Sequence, residues 1–142
     1  MYRMKITIVV VDDDEADRYL VRRAVRKLDF EVNFIEFSSG DHFVEGIKEE
    51  SYRLETFGET PPPILVLLDI NMPRMNGFQV LRNLAEQFGD GSNVMVVTMY
   101  TSSNHAEDRA DAEEYALVKD YLVKPITAET LTGLVERYCV GA

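Results

Sequence analysis

The sequence predicts an α/β protein built on a doubly wound, five-stranded parallel sheet with five helices. Five short runs of apolar residues alternate along the chain with five segments in which apolar residues recur every three to four positions. Alternation of this kind is typical of parallel sheets whose crossover connections are helices. Because such crossovers are right-handed, the helices are expected on both faces of the sheet.

Each strand is predicted from its own pattern of side chains. The predicted strands are residues 6–11, 32–37, 64–68, 94–97 and 121–123. The first and the third are almost wholly aliphatic, as expected for strands that are buried on both faces. The second alternates apolar and polar residues, which indicates a position nearer an edge of the sheet.

The helices are predicted from their apolar stripes and from capping residues. The stripes of the five predicted helices begin at Ala16, Phe43, Phe78, Ala106 and Leu131. Ser39 and Thr127 are expected to cap the second and the fifth helix. Asn104 and Glu107 are spaced as a capping pair for the fourth helix, which we predict over residues 104–118.

Composition excludes several classes of protein. The 142 residues suit one domain, and we expect residues 1–142 to form it without a second one. The net charge of −10 argues against binding to nucleic acid or to an anionic membrane surface. One cysteine, Cys139, and two histidines allow neither a disulfide nor a Cys/His zinc cluster, so Cys139 is expected to be a packing residue. No apolar run approaches the roughly 18 residues of a membrane span, so we expect a cytoplasmic protein.

Polar residues follow four of the predicted strands, at the edge of the sheet where such folds hold their sites. These residues are Asp12, Asp13, Asp69, Asn71, Thr98 and Lys124. Two carboxylates about 4 Å apart repel by roughly 4 kcal/mol at an intermediate dielectric, so the cluster requires a cation or a proton. Mg²⁺ suits a small carboxylate cluster. With Lys124 and the Thr98 hydroxyl as donors, the set indicates an acyl-phosphate site whose nucleophile is Asp69.

Four segments of the chain then carry a family resemblance, namely VVVDDDEADR, LVLLDINMPRMNG, VMVVT and DYLVKP. Together and in this order they resemble the signature segments of two-component response-regulator receiver domains. The resemblance covers nearly the whole chain. It implies a flavodoxin-like sheet with the strand order 2-1-3-4-5.

The resemblance also implies a role for the acidic residues. Asp69 is similar to the aspartate that accepts the phosphoryl group and contributes to the metal site. Asp12 and Asp13 match the acidic pair that binds Mg²⁺, with Asp13 a direct ligand and Asp12 acting through water. The backbone carbonyl of Asn71 would be a further ligand.

Three other residues match positions that read out phosphorylation in the family. Thr98 and Lys124 match the hydroxyl and the lysine that bind the phosphoryl oxygens. Tyr121 falls at the position of the aromatic rotamer switch. Pro125 would follow a cis peptide bond.

Because one such domain takes up the 142 residues, we expect a stand-alone response regulator without an output domain. A sensor histidine kinase or a histidine phosphotransfer protein would phosphorylate Asp69 and would dock near the basic first helix. Phosphorylation would then alter the face made by the fourth predicted helix, the fifth strand and the fifth helix, which contacts a downstream protein target. Such a domain assists only its own phosphorylation and dephosphorylation, and it is not an enzyme with a separate substrate.

Other interpretations stay open. A degenerate receiver would bind partners without phosphorylation, although every chemical position is filled. A haloacid-dehalogenase-type phosphatase would need a second aspartate where this chain has Asn71. A flavodoxin-like cofactor binder would need a first loop that cradles phosphate, and the acidic residues 12–15 would repel one.

Two features depart from the commonest pattern of receivers. Met99 and Tyr100 follow Thr98 where a small residue is usual, and we expect them to screen the site from water and prolong the life of the phosphoryl group. Residues 55–63, which contain three consecutive prolines, are longer than the scaffold requires. They form either a solvated loop or a contact with a partner or a second copy in a homodimer, and they resemble the subgroup that works with phytochrome-type kinases.

Overall fold

The computed structural model describes residues 5–57, 64–89, 95–102 and 105–139. The strands are β1 (Lys5–Val11), β2 (Glu31–Phe37), β3 (Ile64–Leu68), β4 (Met95–Thr101) and β5 (Val118–Val123). The helices are α1 (Glu15–Arg26), α2 (Gly40–Lys48), α3 (Glu50–Phe57), α4 (Gly77–Phe88), α5 (Ala106–Glu113) and α6 (Ala128–Tyr138). All strand pairs are parallel, and their order in the sheet is β2-β1-β3-β4-β5. The predicted doubly wound sheet and its strand order are confirmed.

Two hydrophobic clusters, one on each face of the sheet, hold the helices against it. Successive residues of β1 alternate between them, with Val9 in one cluster and Val10 in the other. The first cluster packs α2 and α4 onto the sheet, and the second packs α1 and α6. Cys139 is buried in the second cluster, as predicted. Across the described ranges, none of the helices combines the length and apolar character needed to cross a membrane.

Two predicted helix caps are confirmed. The Ser39 hydroxyl accepts a hydrogen bond from the backbone N–H of His42 at 3.3 Å, at the start of α2. The Thr127 hydroxyl accepts one from the backbone N–H of Thr130 at 3.1 Å, at the start of α6. The first backbone N–H groups of a helix have no carbonyl partner within the helix, and each of these hydroxyls serves as acceptor for one of them.

The fold contains one helix more than the five predicted, because the described residues include α3, which follows the second predicted helix and was not predicted. Glu49 has an extended backbone (φ −90°, ψ 120°) that separates α2 from α3 and breaks the helical repeat. Residues 55–57 of the predicted loop belong to α3. The rest of that loop, residues 58–63 with the three prolines, lies outside the described residues.

The elements around β4 also have bounds that differ from the predicted ones. α5 ends at Glu113, and β5 already begins at Val118, which packs against the core beside the sheet. The N-cap residue of α5 is His105, while Asn104 of the predicted capping pair lies outside the described residues. β4 continues to Thr101, because all of its residues are buried and it is hydrogen-bonded between β3 and β5.

Candidate functional site

The carboxyl ends of β1, β3 and β5 meet at one edge of the sheet. Val11 is in register with Leu68, and the backbone N–H of Asp69 donates to the carbonyl of Val11 at 3.0 Å. One carboxylate oxygen from each of Asp12, Asp13 and Asp69 lies within 4.8 Å of the others. The predicted acidic residues therefore converge, and their oxygens are close enough together to bind one cation.

Asp12 is fully buried and its carboxylate is largely occupied by donors. One oxygen, Oδ1, accepts a hydrogen bond from the backbone N–H of Asp14 at 2.9 Å. The other, Oδ2, accepts from Lys124 Nζ at 2.9 Å and from the hydroxyl of Tyr100. The guanidinium of Arg18 also donates to the Asp12 carbonyl at 2.8 Å. Because a buried carboxylate is costly unless it is hydrogen-bonded, these donors explain how Asp12 is tolerated at this position.

Lys124 lies among three carboxylates. Its ammonium donates to Asp12 and, at 2.7 Å, to Asp17, and it lies 3.5 Å from Oδ1 of Asp69. Burial disfavours the charged form, but the hydrogen bonds to Asp12 and Asp17 outweigh it and raise the pKa of Lys124. Lys124 therefore stays positively charged at the site. The peptide bond to Pro125 is cis, as predicted.

Asp69 is 4% exposed and lies where its charge is disfavoured. Burial, and then repulsion from Asp12, raise the pKa of Asp69 to about 6, although Lys124 acts in the opposite direction. A cation bound by the carboxylates would relieve this repulsion, so the electrostatics of the described residues suit a metal site.

Gly77 allows α4 to begin directly against the end of β3. A Cβ at this position would lie 2.5 Å from the carbonyl oxygen of Asp69 and 2.9 Å from the Cα of Ile70. The backbone N–H of Gly77 donates to the carbonyl of Ile70 at 2.9 Å. Asn76 and Gln79 form a capping box at the same end of α4. Sequence reasoning did not assign a role to Gly77, although the Asn-Gly pair before a helical stripe marks such a helix start.

An open crevice lies above these strand ends, and its lining is strongly acidic. The described residues that line it are Asp13, Asp14, Glu15, Ala16, Asp17, Asp69, Asn71, Ser102 and Lys124. Asp13 and Asn71 are exposed there, beside the carboxylate of Asp69. Lys124 is the one cation among the described lining residues, so an anionic group that enters the crevice meets a single positive side chain.

Thr98 is not at the strand end, and this expectation is wrong. It lies three residues before Thr101, the last residue of β4, which is about 10 Å along a parallel strand. Thr98 is in register with Leu67, two residues before Asp69, and its buried hydroxyl has no hydrogen-bond partner among the described residues. A threonine inside a strand that is buried on both faces looks, in the sequence, like the first polar residue after a strand.

Thr101 and Ser102 are the hydroxyl residues that β4 brings to the edge of the sheet. Thr101 is in register with Val123, and its carbonyl accepts a hydrogen bond from the backbone N–H of Lys124 at 2.8 Å. Ser102 lines the crevice. In the sequence, a run of hydroxyl residues begins at Thr101, three residues after Thr98. This run indicates the site hydroxyl only when the end of β4 is known.

Met99 and Tyr100 do not line the crevice, so the expected screen against water is not formed by them in the described structure. Met99 packs in the hydrophobic cluster on the α4 face, beside Tyr121, with which it is in register. Tyr100 packs on the opposite face, and its hydroxyl reaches Asp12. Tyr121 is 6% exposed, and the guanidinium carbon of Arg109 lies 5.5 Å from the centre of its ring.

Helix α1 lines the crevice with its first turn and presents both charged and apolar side chains further along. The guanidinium of Arg22 makes two hydrogen bonds to Glu36, at 2.8 and 2.9 Å, so part of the basic face is occupied. Tyr19 and Leu20 are 47% and 41% exposed, so this helix also presents apolar surface. Leu20 lies four residues after Ala16 and so belongs to the apolar stripe predicted for the first helix, but the structure leaves it exposed.

The sequence matches the response regulator receiver domain family over residues 8–136. The response regulator MprA of Mycobacterium ulcerans is 34% identical over 128 residues, which cover 90% of this chain and 47% of that protein. The uncharacterized transcriptional regulatory protein YhcZ of Bacillus subtilis is 32% identical over 114 residues, covering 78% of this chain and 47% of that protein. The chain thus spans about half the length of these curated relatives.

Solved structures share the fold. A two-component response regulator from Cytophaga hutchinsonii has a TM-score of 0.81 at 24% identity, and the match covers 99% of this chain and 100% of that one. The Mn²⁺-bound form of the response regulator Rcp1 has a TM-score of 0.73 at 23% identity, and the match covers 96% of both chains.

Proposed function

The chain belongs to the response regulator receiver family, and on this premise we propose that Asp69 accepts a phosphoryl group in a Mg²⁺-dependent reaction. Receiver domains are signalling domains that interact with histidine kinases or phosphotransfer proteins. The observation that carries the proposal is the arrangement around Asp69. Its carboxylate shares a cluster with Asp12 and Asp13 and lies 3.5 Å from the ammonium of Lys124.

The residues at the crevice fit a Mg²⁺ ion. Asp13 and Asp69 offer carboxylate oxygens and Asn71 a backbone carbonyl, which are hard oxygen ligands. The carboxylate of Asp12 already accepts three hydrogen bonds, so we propose that it acts on the ion through water. When bound, the ion would offset the negative charge of the cluster and of the phosphoryl oxygens.

The protein's own residues then carry out the transfer. A carboxylate oxygen of Asp69 attacks the phosphorus of a phosphohistidine, the bond from phosphorus to nitrogen breaks, and the histidine keeps the electron pair. Lys124 turns from Asp12 and Asp17 to a phosphoryl oxygen. We assign the hydroxyl donor to Thr101 or Ser102 in place of Thr98, because they lie at the end of β4.

The phosphorylated form would signal through α5, β5 and α6. The phosphoryl group adds a charge of about −1.5 to −2 beside the end of β4, and it draws the hydroxyl donor toward it. Tyr121, which packs on the α4 face of β5, would respond and change the surface offered to a downstream protein. This protein would assist only its own phosphorylation and dephosphorylation. A stand-alone role, a cytoplasmic location, the specific kinase and a homodimer stay predictions.

Incubation with Mg²⁺ and acetyl phosphate tests the proposal. Intact-mass analysis should show one added phosphoryl group in the wild type and none in Asp69→Asn. Asp29→Asn is a matched control, because Asp29 is exposed and precedes β2, at the opposite edge of the sheet. It should be labelled like the wild type. Labelling that persists in Asp69→Asn refutes the assignment, and an unlabelled wild type would instead favour a phosphorylation-independent interaction module.

A further inference from the structure

Tyr100 has a buried polar contact that the proposed function does not use. It is 1% exposed, and its hydroxyl donates to Oδ2 of Asp12, which is fully buried. Its ring also lies beside Lys124, whose ammonium is 4.8 Å from the ring centre. The position lies inside β4, where an apolar side chain would satisfy the packing alone. The hydroxyl is therefore a feature that needs a separate explanation.

The three donors to the Asp12 carboxylate differ in how firmly they are held. The backbone N–H of Asp14 is part of the loop before α1, and the hydroxyl of Tyr100 is enclosed by the hydrophobic cluster. Lys124 is shared with Asp17 and Asp69, and it leaves Asp12 if it turns to a phosphoryl oxygen. Tyr100 is then the side-chain donor that stays on Asp12.

The hydroxyl of Tyr100 can act only as a donor toward this carboxylate. An ionised carboxylate only accepts hydrogen bonds, so the phenol hydroxyl in contact with it must be the donor. A hydrogen bond from a neutral donor restrains the orientation of a carboxylate without adding a charge that would compete with a metal ion.

We propose that Tyr100 is a positioning residue for the Mg²⁺ site, which holds the Asp12 carboxylate in its orientation while Lys124 changes partner. The inference rests on the proposed function for the identity of the ion and for the movement of Lys124. Substitutions of residues that orient metal-binding groups typically weaken metal affinity by about 10- to 100-fold. We expect a loss near the lower end of this range for Tyr100→Phe, because the backbone N–H of Asp14 still holds the other oxygen.

Calorimetric titration of the full chain with MgCl₂, without a phosphodonor, measures this effect. Tyr100→Phe should raise the Mg²⁺ dissociation constant about tenfold. Tyr138→Phe is the matched control, because its hydroxyl donates to the carbonyl of Lys119 at 3.0 Å on the exposed side of α6. It should stay within about twofold of the wild type. A Tyr100→Phe constant within twofold of the wild type overturns the proposal, as does a wild type that binds no Mg²⁺.

A double-mutant cycle with Asp12→Asn tests whether Tyr100→Phe weakens Mg²⁺ binding through the Asp12 carboxylate. In the Asp12→Asn background, Tyr100→Phe should change the dissociation constant by less than about twofold, because the carboxylate that it orients is gone. An equal loss in both backgrounds overturns the proposal, since the hydroxyl would then act elsewhere. If a variant is too unstable for calorimetry, the rise of its Tm with MgCl₂ gives the same affinity through linkage.

The outcome is separable from that of the proposed function. Mg²⁺ binding is measured without phosphorylation, and labelling of Asp69 is measured by mass. A wild type that binds Mg²⁺ with the expected Tyr100 effect but takes up no phosphoryl group would remove the proposed function and the change of partner by Lys124, and it would leave intact the role of Tyr100 in orienting Asp12 for Mg²⁺ binding.

Discussion

Helix α4 begins in a capping box and buries four of its residues, whereas helix α5 begins without a side-chain cap and buries only Ala112 among its described residues. The start of α4 also abuts the backbone of Asp69 through Gly77. α5 is shorter, and its first turn follows His105, whose side chain makes no capping hydrogen bond. Both helices begin at the same edge of the sheet, but α4 is held there by more packing and capping contacts than α5.

This difference suits the two tasks of the proposed function. The proposed acceptor, Asp69, needs a rigid backbone, and Gly77 of α4 lies directly against that backbone. The surface proposed to report phosphorylation needs to move at low cost, and few buried contacts make an element easy to displace. Arg109 of α5 contacts the ring of Tyr121, so a shift of this helix and the packing of that ring are coupled.

Gly77→Ala should have the largest effect, because it breaks the support on the α4 side. The added Cβ would meet backbone atoms of Asp69 and Ile70, which cannot move aside like a flexible side chain. We expect a loss of about 3 kcal/mol in the free energy of unfolding, measured by urea denaturation.

Gly133→Ala is the control for that substitution. Gly133 lies in α6 with nothing within 4 Å of its added Cβ. The higher helix propensity of alanine should stabilise the protein by about 0.5–1 kcal/mol. Losses of similar size in both variants would contradict the close-packing account of Gly77.

Asp69→Asn should have the next largest effect. It tests how the charge of Asp69, next to the start of α4, affects the free energy of unfolding. The pKa of Asp69 is raised from 3.8 to about 6 by burial and then by Asp12, so its ionisation opposes folding. The stability associated with the protonated form is complete below about pH 4 and is lost as the pH rises through about 6. With a chelator present, we expect Asp69→Asn to be more stable by on the order of 2 kcal/mol at about pH 7.5.

The same denaturation series over pH provides the check. The advantage of Asp69→Asn should shrink as the pH falls from about 6 to below about 4, where the wild-type carboxyl becomes protonated in both states. Asp29→Asn removes the same charge at an exposed position and should change stability by less than about 0.5 kcal/mol. A gain that is independent of pH, or shared by Asp29→Asn, would contradict the local electrostatic explanation.

His105→Ser should have the smallest effect, and it strengthens the weaker helix. A serine at this N-cap position can accept a hydrogen bond from the first turn of α5, which the His105 side chain does not. We expect a gain of about 1 kcal/mol or less in the free energy of unfolding. Amide hydrogen exchange at Asp108 should slow, while His105→Ala should leave it unchanged. Unaltered exchange in the serine variant would show that the cap is not the element that α5 lacks.

The sequence was most informative where residues act through their position beside a strand. Asp12, Asp13, Asp69 and Lys124 each follow an apolar run, and all four converge as expected. Asn71 lines the crevice next to them. Parallel strands put their carboxyl ends at one edge, so the chain order alone predicts the grouping.

The errors arose where a polar side chain lies inside an element. Thr98 was placed after the fourth strand because a hydroxyl usually ends an apolar run, whereas the strand continues to Thr101. Helix α3 was not predicted, because polar side chains interrupt any apolar stripe in it and none of its described side chains is buried. Periodicity does not distinguish these cases, because the deciding contacts come from neighbouring strands and helices.

The sequence by itself determined the doubly wound sheet, its strand order through a family resemblance, and the carboxylates and lysine at its edge, since these depend on local pattern and chain order. Only the tertiary structure decided the register of β4, which brings Thr101 and Ser102 to the edge, and the bond from Tyr100 to Asp12. Tyr100 and Asp12 are 88 residues apart in the chain. Their contact depends on the order and register of β1, β3 and β4 within the sheet. Side-chain partners across a sheet leave no local pattern in the sequence.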